Sequence, residues 1–208
     1  MKWSDNKLPV TKNSYFTIIN FKIWILMSGT DLLKRLQRND AEALASLMWL
    51  YYDDLHNYGA RFTTDKALVK DCIQEIFISL WQRRETADTI LSPKFYLLRA
   101  IKNKILKSLH KNNHSDFLNN EYYFSYELSI EQIIIERQVN EEKVQKLRKT
   151  LELLSKKQKE IVYLKYYHHL DHTQIAELMN VTRQTVYNLL HETLNKLRSL
   201  LKAEFIAQ

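Results

Sequence analysis

Glycine, proline and cysteine are scarce in this chain of 208 residues, which contains 2 glycines, 2 prolines and a single cysteine. Sheets joined by tight turns depend on glycine and proline, so this scarcity argues against a β-rich fold and favours helices. The lone cysteine, Cys72, excludes a disulfide within the chain and a zinc site built from several thiolates. Cys72 is therefore predicted to be a small core residue in a reducing, cytoplasmic environment.

Long apolar runs are missing as well, because none reaches the roughly 20 residues that a membrane span needs. The apolar segment Tyr15–Met27 is interrupted by Lys22 and is not followed by the small residues of a signal-peptide cleavage site. A good helix start follows Met27 at once. We therefore expect the working protein to begin near Met27 and treat residues 1–27 as an N-terminal extension. A packed extra segment and a weak membrane-surface anchor are the alternatives.

Basic residues outnumber acidic ones: 31 lysines and arginines face 24 aspartates and glutamates, a formal net charge of +7. Such an excess suits a nucleic-acid partner or an acidic membrane surface. The hydrophobic fraction of 45% is large enough for a buried core and excludes wholesale disorder. The sequence has no phosphate-binding glycine loop, nucleophile elbow or catalytic-triad order, so neither an enzyme nor a cofactor is predicted.

The first helical module begins near Thr30, where apolar residues recur at helical spacings of three and four. Asn39 and Glu42 form a capping-box pattern that predicts the start of a second helix, which is expected to end near Gly59. A third helix is predicted from about Asp65 to Arg84, and a loop follows it. The polar face of this third helix carries Asp71, Gln74, Glu75 and Gln82.

A fourth helix is predicted with Pro93 at its first position. No acidic residue occurs from Lys94 to Asn113. Because cations on one helix can neutralise backbone phosphates, this helix is predicted to bind nucleic acid, with a merely solvated basic face as the alternative. Of the nearby aromatic residues, Trp81 and Phe95 are predicted to be core, and Tyr96 is left open between core packing and base stacking. The basic residues of this helix are Lys94, Arg99, Lys102, Lys104, Lys107 and Lys111.

Residues 112–129 are polar, locally acidic and aromatic without a helical period, so they are predicted to form a flexible linker. A second helical module follows, with a first helix from about Ile130 to Leu154 and a capping box at Ser155–Gln158 that starts the next one. The predicted fold is therefore all-α. It consists of two small helical domains, residues 28–111 and 130–208, joined by the linker.

The stretch from Asp171 to Leu190 has the pattern of a helix, a tight turn and a second helix. Asp171 and Gln174 repeat the capping-box pattern at the start of the first helix. Asn180 lies where the chain must bend, and asparagine tolerates left-handed dihedral angles better than most residues. This pattern predicts a helix-turn-helix in the second domain. Two amphipathic helices with a solvated polar face are the alternative.

The outer face of the second of these helices is expected to contact the major groove of DNA. Arginine, glutamine and asparagine side chains can pair with base edges, while threonine hydroxyls and the amino end of a helix can contact phosphates. The candidate DNA-binding residues are Thr182, Arg183, Gln184, Thr185, Tyr187, Asn188 and His191.

Two segments of the chain resemble two domains of one known family, and they follow one another in the same order as in that family. Asp71, Gln74, Glu75, Phe77, Leu80 and Trp81 form a D-x-x-Q-E-x-F-x-x-L-W pattern within residues 39–85. This segment resembles the first conserved helical domain of sigma-70-type initiation factors of RNA polymerase. Residues 154–201, which contain the predicted helix-turn-helix, resemble their C-terminal promoter-binding domain. The domain order and the short joint resemble the extracytoplasmic-function (ECF) subgroup.

The resemblance implies a role for each candidate surface. The third helix would face the clamp coiled coil of core RNA polymerase through Asp71, Gln74 and Glu75. The basic helix would hold the melted minus-ten strand through Lys94, Tyr96, Arg99, Lys102, Asn103 and Lys107. The helix-turn-helix would recognise the minus-thirty-five element through Arg183, Gln184, Tyr187, Asn188 and His191.

The function implied by the resemblance is that of a sigma factor that binds core polymerase, recognises promoter elements and promotes DNA melting. An autonomous helix-turn-helix transcriptional regulator is the alternative. The implied partners are core RNA polymerase, promoter DNA and an anti-sigma factor, which in this family is often membrane-bound, and no small-molecule substrate is expected.

Some positions depart from the family pattern. Asn180 and His169 stand where the family usually has glycine, so the bend at His169 is expected to differ. No lysine or arginine occurs between Arg183 and Lys196, so affinity for the upstream element is expected to be weak without polymerase. Residues Tyr15–Met27 have no counterpart in the pattern.

The histidines of the second domain are close together in sequence, since His168, His169 and His172 fall within five positions. His168 and His172 have a helix-compatible metal spacing, but Asp171 interrupts the helix between them and no pair of carboxylates completes a cage. These residues are therefore predicted to be partly exposed turn histidines rather than metal ligands.

Overall fold

The structure is a computed structural model that describes residues 28–112, Phe124 and residues 141–206. Within these residues the secondary structure is helical and contains no strand, which confirms the all-α prediction. The N-terminal extension, nearly all of the predicted flexible linker and the first residues of the predicted second domain lie outside the described residues. In the described part of the chain, no helix is long and apolar enough to cross a membrane.

Four α-helices form the described part of the first domain. They are α1 (Gly29–Gln37), α2 (Ala41–Gly59), α3 (Lys66–Gln82) and α4 (Pro93–Asn112). A short 3-10 helix, Arg84–Thr89, connects α3 to α4, so the prediction of a loop here is wrong. Hydroxyl groups stabilise its tight turns, because Thr86 and Thr89 each donate to the carbonyl three residues earlier.

The described part of the second domain also contains four α-helices. They are α5 (Glu141–Glu152), α6 (Lys156–Val162), α7 (His172–Met179) and α8 (Arg183–Ile206). One turn of π-helix, Tyr163–Tyr167, continues directly from α6. It ends with a bond from the amide of His168 to the carbonyl of Tyr163, at 3.2 Å.

The predicted starts of α6 and α7 are confirmed by their side-chain hydrogen bonds. At α6 the Ser155 hydroxyl accepts from the amide of Gln158, and the Gln158 side chain accepts from the amide of Ser155. At α7 Asp171 and Gln174 make the same reciprocal pair of bonds. Each pair satisfies two backbone N–H groups, one at the cap and one in the first turn.

The predicted capping box at Asn39 is wrong by one residue. Asp40 caps α2, since its Oδ1 accepts from the amides of Glu42 and Ala43 at 3.0 and 3.3 Å. Its other oxygen accepts from Arg35 Nε at 2.7 Å, and this hydrogen bond lowers the pKa of Asp40. Asn39 instead takes a left-handed conformation, with φ of 63°, and turns the chain after α1. Two adjacent residues can each cap a helix, and the ion pair with Arg35 favours Asp40.

The core of the first domain lies between α2, α3 and α4. Gly59 is buried where these helices come close together, because a Cβ there would lie 2.9 Å from Ile105 Cδ1 and from Val69 Cγ1. Cys72 is 3% exposed, as predicted, and burial raises the pKa of its thiol. The two predicted core aromatics are partly buried and pack against this core: Trp81 and Phe95.

His169 and Asn180 of the second domain stand where the resembled family usually has glycine. Both have positive φ angles, 58° at His169 and 53° at Asn180. A left-handed conformation strains a residue that carries a Cβ, and asparagine tolerates it better than histidine does. We therefore expect His169→Gly to raise the free energy of unfolding by about 0.5–1 kcal/mol in urea denaturation. Asn180→Ala should lower it by a similar amount, and a destabilised His169→Gly variant would contradict the argument.

Candidate polymerase and nucleic-acid interfaces

The helix-turn-helix predicted in the second domain is present. α7 and α8 are joined at Asn180 and Val181, and the amide of Val181 donates to the carbonyl of Ala176 at 2.9 Å. Ile175 on α7 and Val186 on α8 are fully buried between the helices. The prediction of a helix-turn-helix is therefore confirmed, and the apolar side of α8 is fixed against the domain.

The outer side of α8 begins at a cap made by Thr182, whose hydroxyl accepts from the amide of Thr185 at 3.1 Å. Gln184 Nε2 donates to Asn188 Oδ1 at 2.9 Å, so two amides lie side by side one helical turn apart. Tyr187 is 57% exposed between them. All seven candidate DNA-binding residues are exposed: Thr182, Arg183, Gln184, Thr185, Tyr187, Asn188 and His191.

A second exposed polar face lies on α3 in the first domain. Asp71, Gln74 and Glu75 are all exposed there, opposite the buried stripe that faces the core. Lys104 of α4 contacts this face, with its Nζ 2.6 Å from Glu75 Oε2. Because these polar groups are exposed and not needed by the core, they are available to a protein partner.

An apolar residue that the sequence analysis did not select lies on the same face. Ile78 is 47% exposed, one turn after Gln74 and Glu75. A large aliphatic side chain exposed among polar groups is a typical component of a protein–protein contact. The signal was present in the sequence, because Ile78 falls outside the apolar stripe of its helix.

The basic helix α4 presents a partly exposed stripe at helical spacing. Tyr96, Arg99, Asn103 and Lys107 recur at intervals of three and four and are all exposed. Lys94 lies apart from them and is 3.0 Å from Asp54 of α2. The described structure therefore brings four of the six candidate strand-binding residues together on one surface, with an aromatic ring at one end.

Two family models match the chain, one in each domain. The model described as Sigma-70 region 2 matches residues 47–115, and the model described as Sigma-70, region 4 matches residues 144–197. The first match contains the exposed face of α3 and the stripe on α4, and the second contains the helix-turn-helix. The chain belongs to the sigma-70 family. Members of this family are initiation factors of transcription rather than enzymes.

A solved structure of a sigma factor shares the fold at low sequence identity. RpoE from Bartonella quintana, solved with the anti-sigma factor NepR, is 17% identical over 74% of this chain and 94% of that chain, with a TM-score of 0.50. CnrH, solved in complex with the cytosolic domain of CnrY, is 17% identical over 84% of this chain and 97% of that chain, with a TM-score of 0.48. No curated protein sequence matches this sigma-70 family chain.

Lys102, the sixth candidate strand-binding residue of this sigma-70 family chain, is buried rather than exposed. Its Nζ lies 2.9 Å from Oε1 of Glu160, on α6 of the second domain, and the two side chains are 8% and 0% exposed. Tyr58 of α2 donates to the same oxygen at 2.8 Å. Burial raises the pKa of Glu160, although Lys102 and Tyr58 act in the opposite direction. In this arrangement Lys102 is therefore a structural partner of the second domain.

Aromatic rings surround this buried pair and complete what we call the domain interface: Tyr58, Lys102, Phe124, Glu160, Tyr163 and His168. Tyr58 stacks on Tyr163 with ring centroids 6.1 Å apart, and Phe124 packs against both rings. Arg61 lies over the Tyr163 ring at 4.4 Å. Local sequence patterns did not reveal this interface, because its members come from four distant parts of the chain.

The prediction that His168 is a partly exposed turn histidine is wrong, since only 2% of this residue is exposed. The π-helical turn before it directs its ring edge-on against Tyr58, with centroids 5.9 Å apart. Neither ring nitrogen has a hydrogen-bond partner among the residues that the structure describes. Burial, with smaller contributions from Lys94 and Arg61, lowers the pKa of His168 to about 3. Within the same described residues, no group of three histidine, cysteine or acidic side chains could hold a metal ion.

Proposed function

We propose that this chain binds core RNA polymerase, recognises two promoter elements and holds one strand of melted promoter DNA, as a sigma factor of the ECF subgroup. The observation that carries the proposal is the presence of two separate exposed polar faces, one on α3 and one on α8, in a single chain. An autonomous regulator needs only the helix-turn-helix face. The matches to region 2 and region 4 support the proposal, because they fall on the two domains that carry these faces.

Each role is assigned to a surface by its chemistry. Asp71, Gln74 and Glu75, with Ile78 beside them, offer acidic, amide and apolar contacts for the clamp coiled coil of polymerase. The stripe on α4 offers cations for phosphates and an aromatic ring for stacking on an unpaired base. The face of α8 offers the paired donors and acceptors that distinguish bases in a major groove.

A protein partner that withholds the chain from polymerase is also part of the proposal. The sigma-70 family resemblance implies an anti-sigma factor, and RpoE of Bartonella quintana was solved with one. We place the working protein in the cytoplasm, where polymerase and promoter DNA are found, and assign it no small-molecule substrate.

Run-off transcription with purified core polymerase on a random promoter library tests the function directly. A sigma factor should select a common pair of promoter elements from the library and start transcription at a fixed distance from them. The autonomous regulator predicts the opposite outcome: no start-site selection with core polymerase, and tight binding of duplex operator by the purified chain alone.

The double substitution Gln74→Ala and Glu75→Ala is expected to weaken binding to core polymerase about tenfold, which corresponds to about 1.4 kcal/mol for the two exposed contacts together. The fold should be retained because both side chains are exposed. Titration of polymerase with labelled protein measures the change. Lys34→Ala, an exposed position on α1, is the matched control, and affinity equal to that of the wild type in the double variant would remove α3 from the polymerase contact.

Arg183→Ala is expected to remove about 1–3 kcal/mol of the discrimination between bases at one position of the upstream element. The reason is that an exposed guanidinium at the start of α8 can pair with two acceptors on a guanine edge. The measurement compares holoenzyme binding to promoters altered one base pair at a time, with Glu192→Ala on the same helix as the control. An equal loss on every promoter would make Arg183 a phosphate contact instead.

A further inference from the structure

Two basic residues of α4 are contacted by carboxylates of the second domain. Arg99 forms an ion pair with Glu177, which lies on α7 of the helix-turn-helix. Lys102 pairs with Glu160 of α6 inside the domain interface. Arg99 belongs to the α4 stripe that we propose for the melted promoter strand, and Lys102 is among the six residues to which the family resemblance gives that role. The second domain therefore covers part of the surface that DNA would use.

The two carboxylates contact Arg99 and Lys102 in the way that DNA phosphates would. A carboxylate, like a phosphate, presents anionic oxygens that accept charge-assisted hydrogen bonds from guanidinium and ammonium groups. The Glu177 carboxylate accepts from a donor group of Arg99, and the Glu160 carboxylate accepts from the ammonium group of Lys102. A DNA strand cannot reach Lys102 while Glu160 and the surrounding rings bury it.

We propose that the second domain is an intramolecular competitor for the DNA surface of α4, with Glu160 and Glu177 standing in for strand phosphates until the two domains separate. This inference rests on the proposed function, because it concerns the same strand-binding surface. The binding of DNA at Arg99 and Lys102 and the closed arrangement of the domains are then mutually exclusive.

The contacts are suited to a reversible competitor. The Arg99 and Glu177 side chains are 50% and 44% exposed, so water screens their attraction and the pair is weak. The buried pair is stronger, but the loss of water around its charges offsets much of the attraction. The hydrogen bonding of the buried carboxylate is also incomplete, since Glu160 Oε2 has no hydrogen-bond partner among the described residues. Separation of the domains returns both carboxylates to water.

The test removes the two carboxylates and leaves α4 unchanged. We compare the wild-type chain with the variant Glu160→Gln/Glu177→Gln by fluorescence anisotropy, using a labelled oligothymidylate of about 20 nucleotides at one fixed low salt concentration. The variant is expected to bind about tenfold more tightly, because apparent affinity scales with the fraction of molecules whose site is accessible. The matched control, Glu152→Gln/Glu192→Gln, removes the same charge from exposed positions. An equal gain in this control would overturn the competition.

A third substitution separates the inference from the function on which it rests. Lys107→Ala removes an exposed cation of the α4 stripe and is made in both backgrounds. If it abolishes the gain of the double variant, the competition is supported. If it weakens both proteins but the two bind equally, the strand-binding role stands and the competition is overturned. If it changes neither, the oligonucleotide does not bind α4 and the proposed strand-binding role fails as well.

A milder variant guards against a folding defect in the double variant. Glu177→Gln alone changes an exposed side chain, so the fold should be kept, and the affinity for the same oligonucleotide should rise about two- to threefold. A gain of that size in a chain of unchanged circular dichroism supports the competition. No gain would show that the ion pair with Arg99 does not hinder the strand.

Discussion

Replacing Lys102 with methionine should destabilise the closed arrangement of the two domains by about 3–5 kcal/mol, because it leaves the Glu160 carboxylate buried without a cation. Such a loss changes the ratio of closed to open molecules by more than about a hundredfold. Energy transfer between dyes on cysteines introduced at Lys34 and Glu192, one exposed site in each domain, measures this ratio. The native Cys72 is buried and the pKa of its thiol is raised, so it should not react with the dyes.

Removing both charges at the domain interface should restore the closed arrangement. Lys102→Met/Glu160→Leu removes both members of the buried ion pair, and well-packed apolar side chains are often as stable as the ion pair they replace. The raised pKa of Glu160 agrees with this expectation, since it shows that burial outweighs the attraction of its partners. Lys104→Met is the matched control, because Lys104 pairs with Glu75 inside the first domain. Unchanged energy transfer in the single Lys102→Met variant would remove this pair from the forces that hold the domains together.

Local features of the chain were predictable from the sequence because their causes lie within a few residues. Ser155 with Gln158, and Asp171 with Gln174, satisfy the backbone groups of their own first turns. Asn180 makes the left-handed turn that its small polar side chain tolerates. The same locality explains the one-residue error at α2, where Asn39 and Asp40 are both good caps and the choice depends on the ion pair with Arg35.

The exposure of the candidate recognition residues also followed from a local rule. Once Val186 and Leu190 are assigned to the buried side of α8, helical periodicity places Arg183, Gln184 and Tyr187 on the outer side. Periodicity also separates Ile78 from the buried stripe of α3, although its meaning becomes clear only beside Gln74 and Glu75. What these faces bind depends on partners outside the chain, so it stays a proposal.

The domain interface could not be predicted in the same way. Lys102 and Glu160 are 58 residues apart, and Tyr58 and Glu160 are 102 residues apart. No periodicity within one helix relates such residues. A partial signal existed, because Glu160 sits next to Ile161 on the buried side of α6, where a carboxylate needs a partner. The basic face of α4 appeared uniform in the sequence, whereas the structure separates buried Lys102 from exposed Asn103 and Lys107.

Acidification should weaken the fold through His168, whose pKa is lowered from 6.5 to about 3. Above pH 6.5 the ring is neutral in both the folded and the unfolded chain, so it has no effect on stability there. Below pH 6.5 the unfolded chain takes up a proton that the folded chain does not bind. The free energy of unfolding should therefore fall by about 1.4 kcal/mol for each pH unit between 6.5 and about 3.

The groups that face His168 come from both domains and set the design of the test. Lys94, Arg61 and His169 disfavour a positive charge on the His168 ring. The Asp54 carboxylate, 3.9 Å from Nδ1 of His168, favours such a charge. The rings of Tyr58, Tyr163 and Tyr167 enclose it. Glu160 contributes with the opposite sign, because its raised pKa makes the folded chain hold a proton that the unfolded chain has released. The contribution of His168 must therefore be measured as a difference between variants.

Urea denaturation at pH 7, 6 and 5 of the wild type and of His168→Gln provides that difference. The wild type should lose about 2 kcal/mol more than the variant between pH 6.5 and pH 5, since glutamine carries no titrating group. His191→Gln, which changes an exposed ring on α8, is the matched control for the substitution itself. Equal slopes for the wild type and His168→Gln would mean that protons reach the His168 ring without unfolding, and the enclosure by three tyrosines would then have to open in the native chain.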